Sequence, residues 1–243
     1  MLEAINLTKR YEDGELALDG LTFRVEPGEI FCMFGANGAG KTTTINLFLN
    51  FIPPTSGQAL IEGIDVAKEP LRAKRHVSFV SENVMLYGNF TAVQNLDYFS
   101  RLAGKRALAK KDYAEVLGRV GLQKQAFDRR VKNFSKGMRQ KLGIAIALVK
   151  DAANVLLDEP TSGLDPKSGR EFLQILVQMR DAGKSVFMST HDIFRAKLMA
   201  DRIGFMRKGR LVMLKNASEL AHDDLTELYI QYMEEAPSGS SAA

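Results

Sequence analysis

A glycine-rich loop, Gly35-Ala-Asn-Gly-Ala-Gly-Lys-Thr42, has the residue types and spacing needed to hold phosphate groups. It matches the pattern G-x-x-x-x-G-K-[ST], in which glycines let the backbone curve with its amide groups turned inward. A helix that begins near Lys41 would add the positive end of its dipole. Lys41 would place a charge on the β- and γ-phosphates, and the Thr42 hydroxyl would be a ligand for Mg²⁺. The loop therefore predicts nucleotide binding by Gly35, Ala36, Asn37, Gly38, Ala39, Gly40, Lys41, Thr42 and Thr43.

The alternative for this loop is a flexible glycine segment with an exposed lysine. The context favours binding, because an apolar run at 30–34 precedes the loop and apolar residues at helical spacing follow it from 43 to 51. A strand, a loop and a helix in that order are what the phosphate-binding mechanism requires. By itself the motif indicates a P-loop nucleoside triphosphatase, a class that includes kinases, GTPases and helicases.

A second acidic cluster, Asp158-Glu159, ends the apolar run that starts at Val155. An aspartate there can hold hydrated Mg²⁺, and the adjacent glutamate can polarise an attacking water. An Asp-Glu pair also occurs at strand ends that are simply exposed to solvent, so the pair indicates a catalytic site only when other motifs accompany it.

The segment Phe134-Ser-Lys-Gly-Met-Arg-Gln140 resembles the signature sequence of ABC ATPases, in the degenerate form S-K-G-M-x-Q common among bacterial single-domain subunits. It is most similar to the ABC-2 exporter class, whose signatures often read Y-S-K-G-M. It opens an apolar helix, for which Ser135 is also a good N-cap. Three further segments resemble family motifs: Ser162-Gly-Leu-Asp165 the D-loop, Ser189-Thr-His191-Asp192 the switch-histidine loop, and Tyr11 the ring that stacks on adenine. The resemblance spans residues 2 to 215.

This resemblance implies an ATP hydrolase that uses ATP and Mg²⁺ and works as a head-to-tail dimer with two nucleotides between the chains. Lys41, Glu159 and His191 would be catalytic, with Glu159 the general base and His191 a contact to the γ-phosphate. Thr42 and Asp158 would bind the metal. The signature residues of one chain would reach the ATP of its partner, and Asp165 would communicate across the interface; these signature residues are Ser135, Lys136, Gly137, Met138 and Gln140.

One position departs from the family pattern. The family has a glutamine after the strand predicted at 77–80, where it contacts Mg²⁺ and the attacking water, and this sequence has Glu82 with Asn83 beside it. A carboxylate at Glu82 would bind the metal more strongly than an amide, but it would repel the negatively charged phosphates and so lower the affinity for ATP. Alternatively the loop shifts by one residue, and Asn83 supplies the amide.

The elements that must position these residues read as an α/β fold, a P-loop NTPase core with a parallel sheet. An antiparallel β portion is expected at the N-terminus, and a helical subdomain inserted at about 91–150, where three segments have helical spacing. Strand, helix and strand over 154–188 indicate a parallel crossover, and a hairpin around Lys208-Gly209 closes the core. Residues 216–235 are expected to form a C-terminal helix, and 236–243 a disordered tail.

Composition narrows the class further. No apolar run approaches the roughly 18 residues that span a bilayer, and the first residues lack a signal-peptide core, so a soluble cytoplasmic protein is expected. The net charge of +4 is mild and does not decide between partners. The one cysteine, Cys32, excludes an internal disulfide and is expected to be a core residue.

The function expected is the energy-supplying subunit of a transporter, peripheral at the cytoplasmic membrane face, with a membrane-spanning permease as partner and no direct contact with nucleic acid. An ABC ATPase acting on nucleic acid or ribosomes is the alternative, but such chains usually carry two ATPase domains or a long coiled-coil insertion. A third possibility is an ATPase that regulates a peptidoglycan or division complex through a membrane partner.

Overall fold

The structure is a computed structural model that describes residues 1–106 and 108–221. Its strands are β1 (Leu2–Arg10), β2 (Leu16–Val25), β3 (Ile30–Phe34), β4 (Ser56–Ile61), β5 (Ile64–Asp65), β6 (Val77–Val80), β7 (Asn154–Asp158), β8 (Ser185–Thr190), β9 (Arg202–Arg207) and β10 (Arg210–Asn216). Its helices are α1 (Lys41–Phe48), α2 (Pro70–Lys74), α3 (Ala92–Leu102), α4 (Lys110–Arg119), α5 (Lys136–Lys150), α6 (Pro166–Asp181) and α7 (Ile193–Lys197).

Two sheets organise the described chain. The first is antiparallel in the order β2-β1-β4-β5, and the second has the order β10-β9-β3-β8-β7-β6. In the second sheet every neighbouring pair is parallel except β9 and β10. The carboxyl ends of β3, β6, β7 and β8 therefore meet at one edge, the usual place for a ligand in an open α/β sheet.

The parallel sheet is buried on both faces, which is why its strands read as unbroken apolar runs. Along β3, Ile30, Cys32 and Phe34 face one core with α5 and α6, whereas Phe31 and Met33 face another core with β1, β2 and α1. The rings of Phe31 and Phe187 stack with centroids 5.9 Å apart. Each such buried side chain contributes about 1.5–3 kcal/mol of hydrophobic free energy, so the strand bearing the glycine loop is firmly fixed.

Cys32 is fully buried, and burial raises the pKa of its thiol far above its usual range. The prediction of a core cysteine is confirmed.

Three helices, α3, α4 and α5, lie between β6 and β7 in the chain and pack on one another. Thr91 caps α3 with a capping box completed by Gln94, and Ser135 caps α5 by accepting from the amide of Met138. The antiparallel N-terminal sheet, the parallel sheet and the inserted helices confirm the predicted fold class.

Some local predictions differ from the structure. The helix expected to begin near Lys41 does begin there, but it ends at Phe48 and does not continue to residue 51, because Asn50 has a left-handed φ of 51° that ends the regular turn. The short helices α2 and α7 had no counterpart in the sequence prediction, since five residues are too few to show periodicity. At the C-terminal end, β10 runs to Asn216 and Glu219–Ala221 form a 3-10 turn. The rest of the predicted C-terminal helix, and the tail, lie outside the described residues.

Candidate functional site

A cavity of about 390 Å³ lies at the carboxyl edge of the parallel sheet. Most of the predicted nucleotide-binding residues line it, together with both residues of the acidic cluster. Its lining residues are Tyr11, Glu15, Ala17, Ala36, Asn37, Gly38, Gly40, Lys41, Thr42, Thr43, Glu82, Asp158 and Glu159. The sheet thus brings together segments that are far apart in sequence.

Two glycines of the loop are required by close packing. A Cβ at Gly35 would lie 2.5 Å from the carbonyl oxygen of Met206, and one at Gly40 would lie 2.6 Å from that of Ala17. Gly40 also has a φ of 108°, which side chains rarely adopt. Since Gly40 precedes α1 and offers no capping side chain, the N-terminus of α1 opens onto the cavity, where it can attract an anion.

Lys41 is buried and lies across its own loop. Its ammonium donates to the carbonyl oxygens of Gly35 at 2.6 Å and Ala36 at 3.0 Å, and lies 3.6 Å from Oε1 of Glu159. Burial lowers the pKa of Lys41, and the carboxylates of Glu159 and Asp158 oppose this effect by favouring the charged form. A partly desolvated cation at the floor of the cavity is suited to bind phosphate oxygens.

Thr42 and Asp158 offer oxygen ligands to a divalent cation. The Thr42 hydroxyl donates to Asp158, with distances of 3.1 and 3.3 Å to the two carboxylate oxygens. Such a pair fits Mg²⁺, which prefers oxygen and usually takes only one or two protein ligands beside phosphates and water. Among residues 1–106 and 108–221, no group of three or more histidine, cysteine or acidic side chains is arranged to hold a metal alone.

Glu159 occupies a strained and well-supported position just after β7. Its φ of 45° lies in the left-handed region, which costs a non-glycine residue energy and is often found at functional sites. The amide of Glu159 donates to the carbonyl oxygen of Ser189 at 3.2 Å and to its hydroxyl at 3.1 Å. The same hydroxyl donates to Oδ1 of Asp158 at 2.6 Å. Ser189 therefore fixes both acidic residues.

The two oxygens of the Glu159 carboxylate have different surroundings. Oε2 lies 2.8 Å from Nδ1 of His191 and accepts from the His191 amide at 3.3 Å. Oε1 is buried and has no hydrogen-bond partner among the described residues. An oriented carboxylate with one free oxygen beside a lysine is arranged to accept a proton from a water molecule.

Tyr11 borders the same cavity. Its hydroxyl lies 3.4 Å from the Thr43 hydroxyl, and the ammonium of Lys9 lies 5.3 Å from the centroid of its ring. The ring is half-buried, so it is placed where a nucleotide base could stack against it.

The signature residues do not line this cavity of their own chain, as far as the described residues extend. Ser135 is exposed and caps α5, with its hydroxyl 3.3 Å from the Met138 amide. A Cβ at Gly137 would lie 3.5 Å from the side chain of Leu164, so the signature packs against the predicted D-loop. Asp165 accepts from two amides at the start of α6, and hydrogen bonding to Ser168 lowers its pKa. Its observed role is thus local.

Gln140 was predicted with the signature, but its side chain is buried. Its amide donates to the carbonyl oxygen of Glu82 at 2.7 Å. This contact inside one chain does not support a direct contact of Gln140 with a nucleotide held by a second chain. It does fix the backbone at Glu82, whose side chain lines the cavity, whereas Asn83 is exposed and outside the lining. Of the two residues weighed for the glutamine position, Glu82 is thus the one that lies at the cavity.

Sequence reasoning quoted Ser189 only as part of a motif and assigned it no role. The parallel register pairs Asp158 with Ser189, so the contact would follow from the strand order of the sheet. The sequence alone does not reveal that order. Glu15 and Ala17 also line the cavity, but they belong to no sequence motif that would have identified them as site residues.

No helix in residues 1–106 or 108–221 combines the length and hydropathy needed to cross a bilayer.

Comparison with known proteins gives a consistent result. The family model described as ABC transporter matches residues 18–162. The uncharacterized ABC transporter ATP-binding protein YhcH of Bacillus subtilis is 37% identical over 95% of this chain and 75% of its own length. The linearmycin resistance ATP-binding protein LnrL of the same organism is 33% identical over 97% of this chain and 77% of its own.

A solved structure agrees. The dimeric post-hydrolysis state of the ATP-binding cassette MJ0796, bound to ADP and Pi, superposes with a TM-score of 0.81 at 26% identity, covering 89% of this chain and 99% of that one. With the cavity, the lysine and the supported carboxylate in place, we conclude that the chain belongs to the ABC transporter family, as an ATP-binding subunit that hydrolyses ATP.

Proposed function

We propose that this subunit energises a separate membrane-spanning partner of the ABC-2 exporter type and acts at the cytoplasmic face of the membrane. Two observations support an exporter. The signature from Ser135 to Gln140 has the form found in that class, and the similar protein LnrL is named for linearmycin resistance. The partner would supply the spanning segments and the substrate specificity.

The binding roles follow from the cavity. Residues 35–43 would hold the phosphates of ATP, with Lys41 turning from its own carbonyl contacts to the β- and γ-phosphates, and Tyr11 would stack on the base. Thr42 and Asp158 would hold Mg²⁺, which would neutralise phosphate charge when bound. Glu82 would add a third oxygen ligand near the metal or its water.

The single observation that carries the catalytic proposal is the Glu159 carboxylate: His191 holds Oε2, and Oε1, 3.6 Å from the Lys41 ammonium, has no hydrogen-bond partner among the described residues. Glu159 would accept a proton from the attacking water, whose oxygen bonds to the γ-phosphorus as the bond to the bridging oxygen of ADP breaks. Lys41 would stabilise the charge that develops on the phosphate, and His191 would orient Glu159 and contact the γ-phosphate.

A second copy of the chain would complete the site. Ser135, Gly137 and Met138 lie at the N-terminus of α5, which carries the positive end of the helix dipole. They do not serve the cavity of their own chain, so we place them against the γ-phosphate of a nucleotide bound by the partner copy. Loss of that phosphate on hydrolysis would open the dimer.

A groove next to β6 would receive the membrane partner. It has a volume of about 230 Å³ and lies between the sheet edge and the inserted helices α3 and α5; its lining includes Phe79, Phe99, Leu102 and Ile146. Phe79 and Leu102 are 36% and 70% exposed. Because β6 leads directly to Glu82 in the nucleotide cavity, this strand links the groove to the site.

The test is Glu159→Gln, which keeps the shape of the side chain but cannot accept the proton. We expect the ATP hydrolysis rate to fall by about 100-fold or more while ATP binding persists, and an ATP-dependent dimer to accumulate in size-exclusion chromatography. The exposed Glu115→Gln is the matched control. Hydrolysis at the wild-type rate would remove Glu159 as the base, and a monomer at saturating ATP would contradict the dimer.

The membrane partner is tested by affinity purification from membranes of the source cell. A co-purifying polytopic membrane protein supports the proposal. Recovery of ribosomes, or of a single-pass division protein, would overturn it.

A further inference from the structure

Glu82, the position that departs from the family pattern, contacts a residue of the signature. Glu82 stands where the family has glutamine, and Lys136 follows the signature serine at the start of α5. Oε1 of Glu82 lies 3.5 Å from Nζ of Lys136, although the residues are 54 positions apart. The side chains are 43% and 39% exposed, so solvent reaches the pair and either partner can be exchanged.

Further contacts hold this pair in place. The buried Gln140 binds the backbone of Glu82, as described above, and also donates to the carbonyl oxygen of Ser81 at 3.4 Å. The side chain of Lys136 passes over Gly163, where a Cβ would lie 3.4 Å from Nζ and 3.5 Å from Cδ. Lys136 is therefore confined between the loop of Glu82 and the D-loop.

The cavity is lined mainly by acidic side chains, and this gives the ion pair between Glu82 and Lys136 a bearing on nucleotide binding. Glu15, Glu82, Asp158 and Glu159 all line the cavity, and Lys41 is the cation among the lining residues. A nucleotide brings further negative charge, so a free carboxylate at Glu82 would weaken its binding. Lys136 offsets that charge from outside the cavity.

Resting on the proposed function, we propose that Lys136 exchanges partners. In the free chain it pairs with Glu82; when Mg²⁺ and nucleotide occupy the cavity, Glu82 turns to the metal and Lys136 is released to the γ-phosphate held by the second copy. Occupation of one site would thereby prepare the signature that completes the other. Lys136 lies beside Ser135, at the same helix terminus, so its released ammonium would reach the same anion.

A double-mutant cycle in the Glu159→Gln background tests this exchange. The variants are Glu82→Gln, Lys136→Met and both together, which remove charge with little change of shape. The measurement is the apparent dissociation constant of the dimer, from sedimentation equilibrium at an Mg²⁺-ATP concentration that leaves most of the monomer nucleotide-free, so that assembly includes the breaking of the pair between Lys136 and Glu82. Exposed Lys132→Met is the control, and Lys136→Arg should rescue.

We expect Lys136→Met to weaken the dimer in both backgrounds, but by at least about three-fold more when Glu82 is glutamine. The reason is that a lysine already free of Glu82 contributes its whole interaction with phosphate. Equal fold-changes in the two backgrounds would overturn the exchange while leaving the proposed function intact. If the Glu159→Gln parent itself forms no dimer with ATP, the proposed function fails, and the exchange with it.

Discussion

The carboxyl edge of the parallel sheet and the N-terminus of α5 both have polar groups suited to phosphate, but they are built differently. At the sheet edge, Lys41 and Glu159 are 6% and 14% exposed and belong to a network that includes Ser189 and His191. At α5, Ser135 is exposed and its hydroxyl caps its own helix, and Lys136 forms a solvent-accessible ion pair with Glu82.

This difference shows what each region can do alone. The sheet edge is preorganised, because burial strengthens its electrostatic interactions and its neighbours fix each side chain. At the N-terminus of α5, the Ser135 hydroxyl already caps the helix and Lys136 is already paired with Glu82. These groups can bind phosphate only when a second chain brings a nucleotide to them. Substitutions at the sheet edge should therefore affect nucleotide binding and chemistry in one chain, and substitutions at α5 should affect assembly.

The largest effect on ATP binding is expected for Lys41→Met. Loss of the buried ammonium removes charge-assisted hydrogen bonds to phosphate, which should weaken ATP binding by about 10- to 100-fold, measured by isothermal titration calorimetry. Lys167→Met, at an exposed position at the start of α6, should bind ATP normally. Unchanged ATP affinity for Lys41→Met would contradict the conclusion that the carboxyl edge of the sheet is preorganised to bind phosphate.

An intermediate effect is expected for Ser189→Ala. The hydroxyl bonds both Asp158 and the amide of Glu159, so its loss should lower the ATPase rate by roughly ten-fold and stability by about 1–3 kcal/mol. The matched control is Ser185→Ala on the same strand, since the Ser185 hydroxyl is buried without a hydrogen-bond partner among the described residues. ATPase rates and thermal unfolding of Ser189→Ala and Ser185→Ala test this prediction. Equal ATPase rates and equal stabilities for the two variants would show that the hydrogen bonds of Ser189 contribute to neither catalysis nor stability.

The smallest effect on the single chain is expected for Ser135→Ala. Loss of an N-cap costs about 1 kcal/mol of stability, and Thr91→Ala, which removes the cap of α3, should cost a similar amount in chemical denaturation. Only Ser135→Ala should also weaken the ATP-dependent dimer. If both variants weaken it equally, the α5 terminus has only a structural role.

The fold was predictable where the pattern is local. The glycine loop between an apolar run and a helix specified its own backbone, and the unbroken apolar runs indicated a parallel sheet buried on both faces. The ends of elements were less predictable: Asn50 ended α1 early through a left-handed backbone that the apolar spacing could not reveal.

The site was predictable as a set of residue types and not as a set of contacts. The family resemblance placed Lys41, Asp158 and His191 in one site, and the structure brings them to one sheet edge. Gln140, assigned to the signature in the same way, packs inside the chain instead. Motif membership does not tell which side of a helix a residue faces in the finished core.

By itself, the sequence determined the chemistry available: a phosphate loop, an acidic pair, a switch histidine and a signature with a lysine in it. The tertiary structure alone decided the pairings across 116 residues between Thr42 and Asp158, and across 54 between Glu82 and Lys136. The physical reason is that local patterns fix local backbone, whereas contacts between distant segments depend on strand order and packing. Lys136 of the signature is paired with Glu82 only by the tertiary fold.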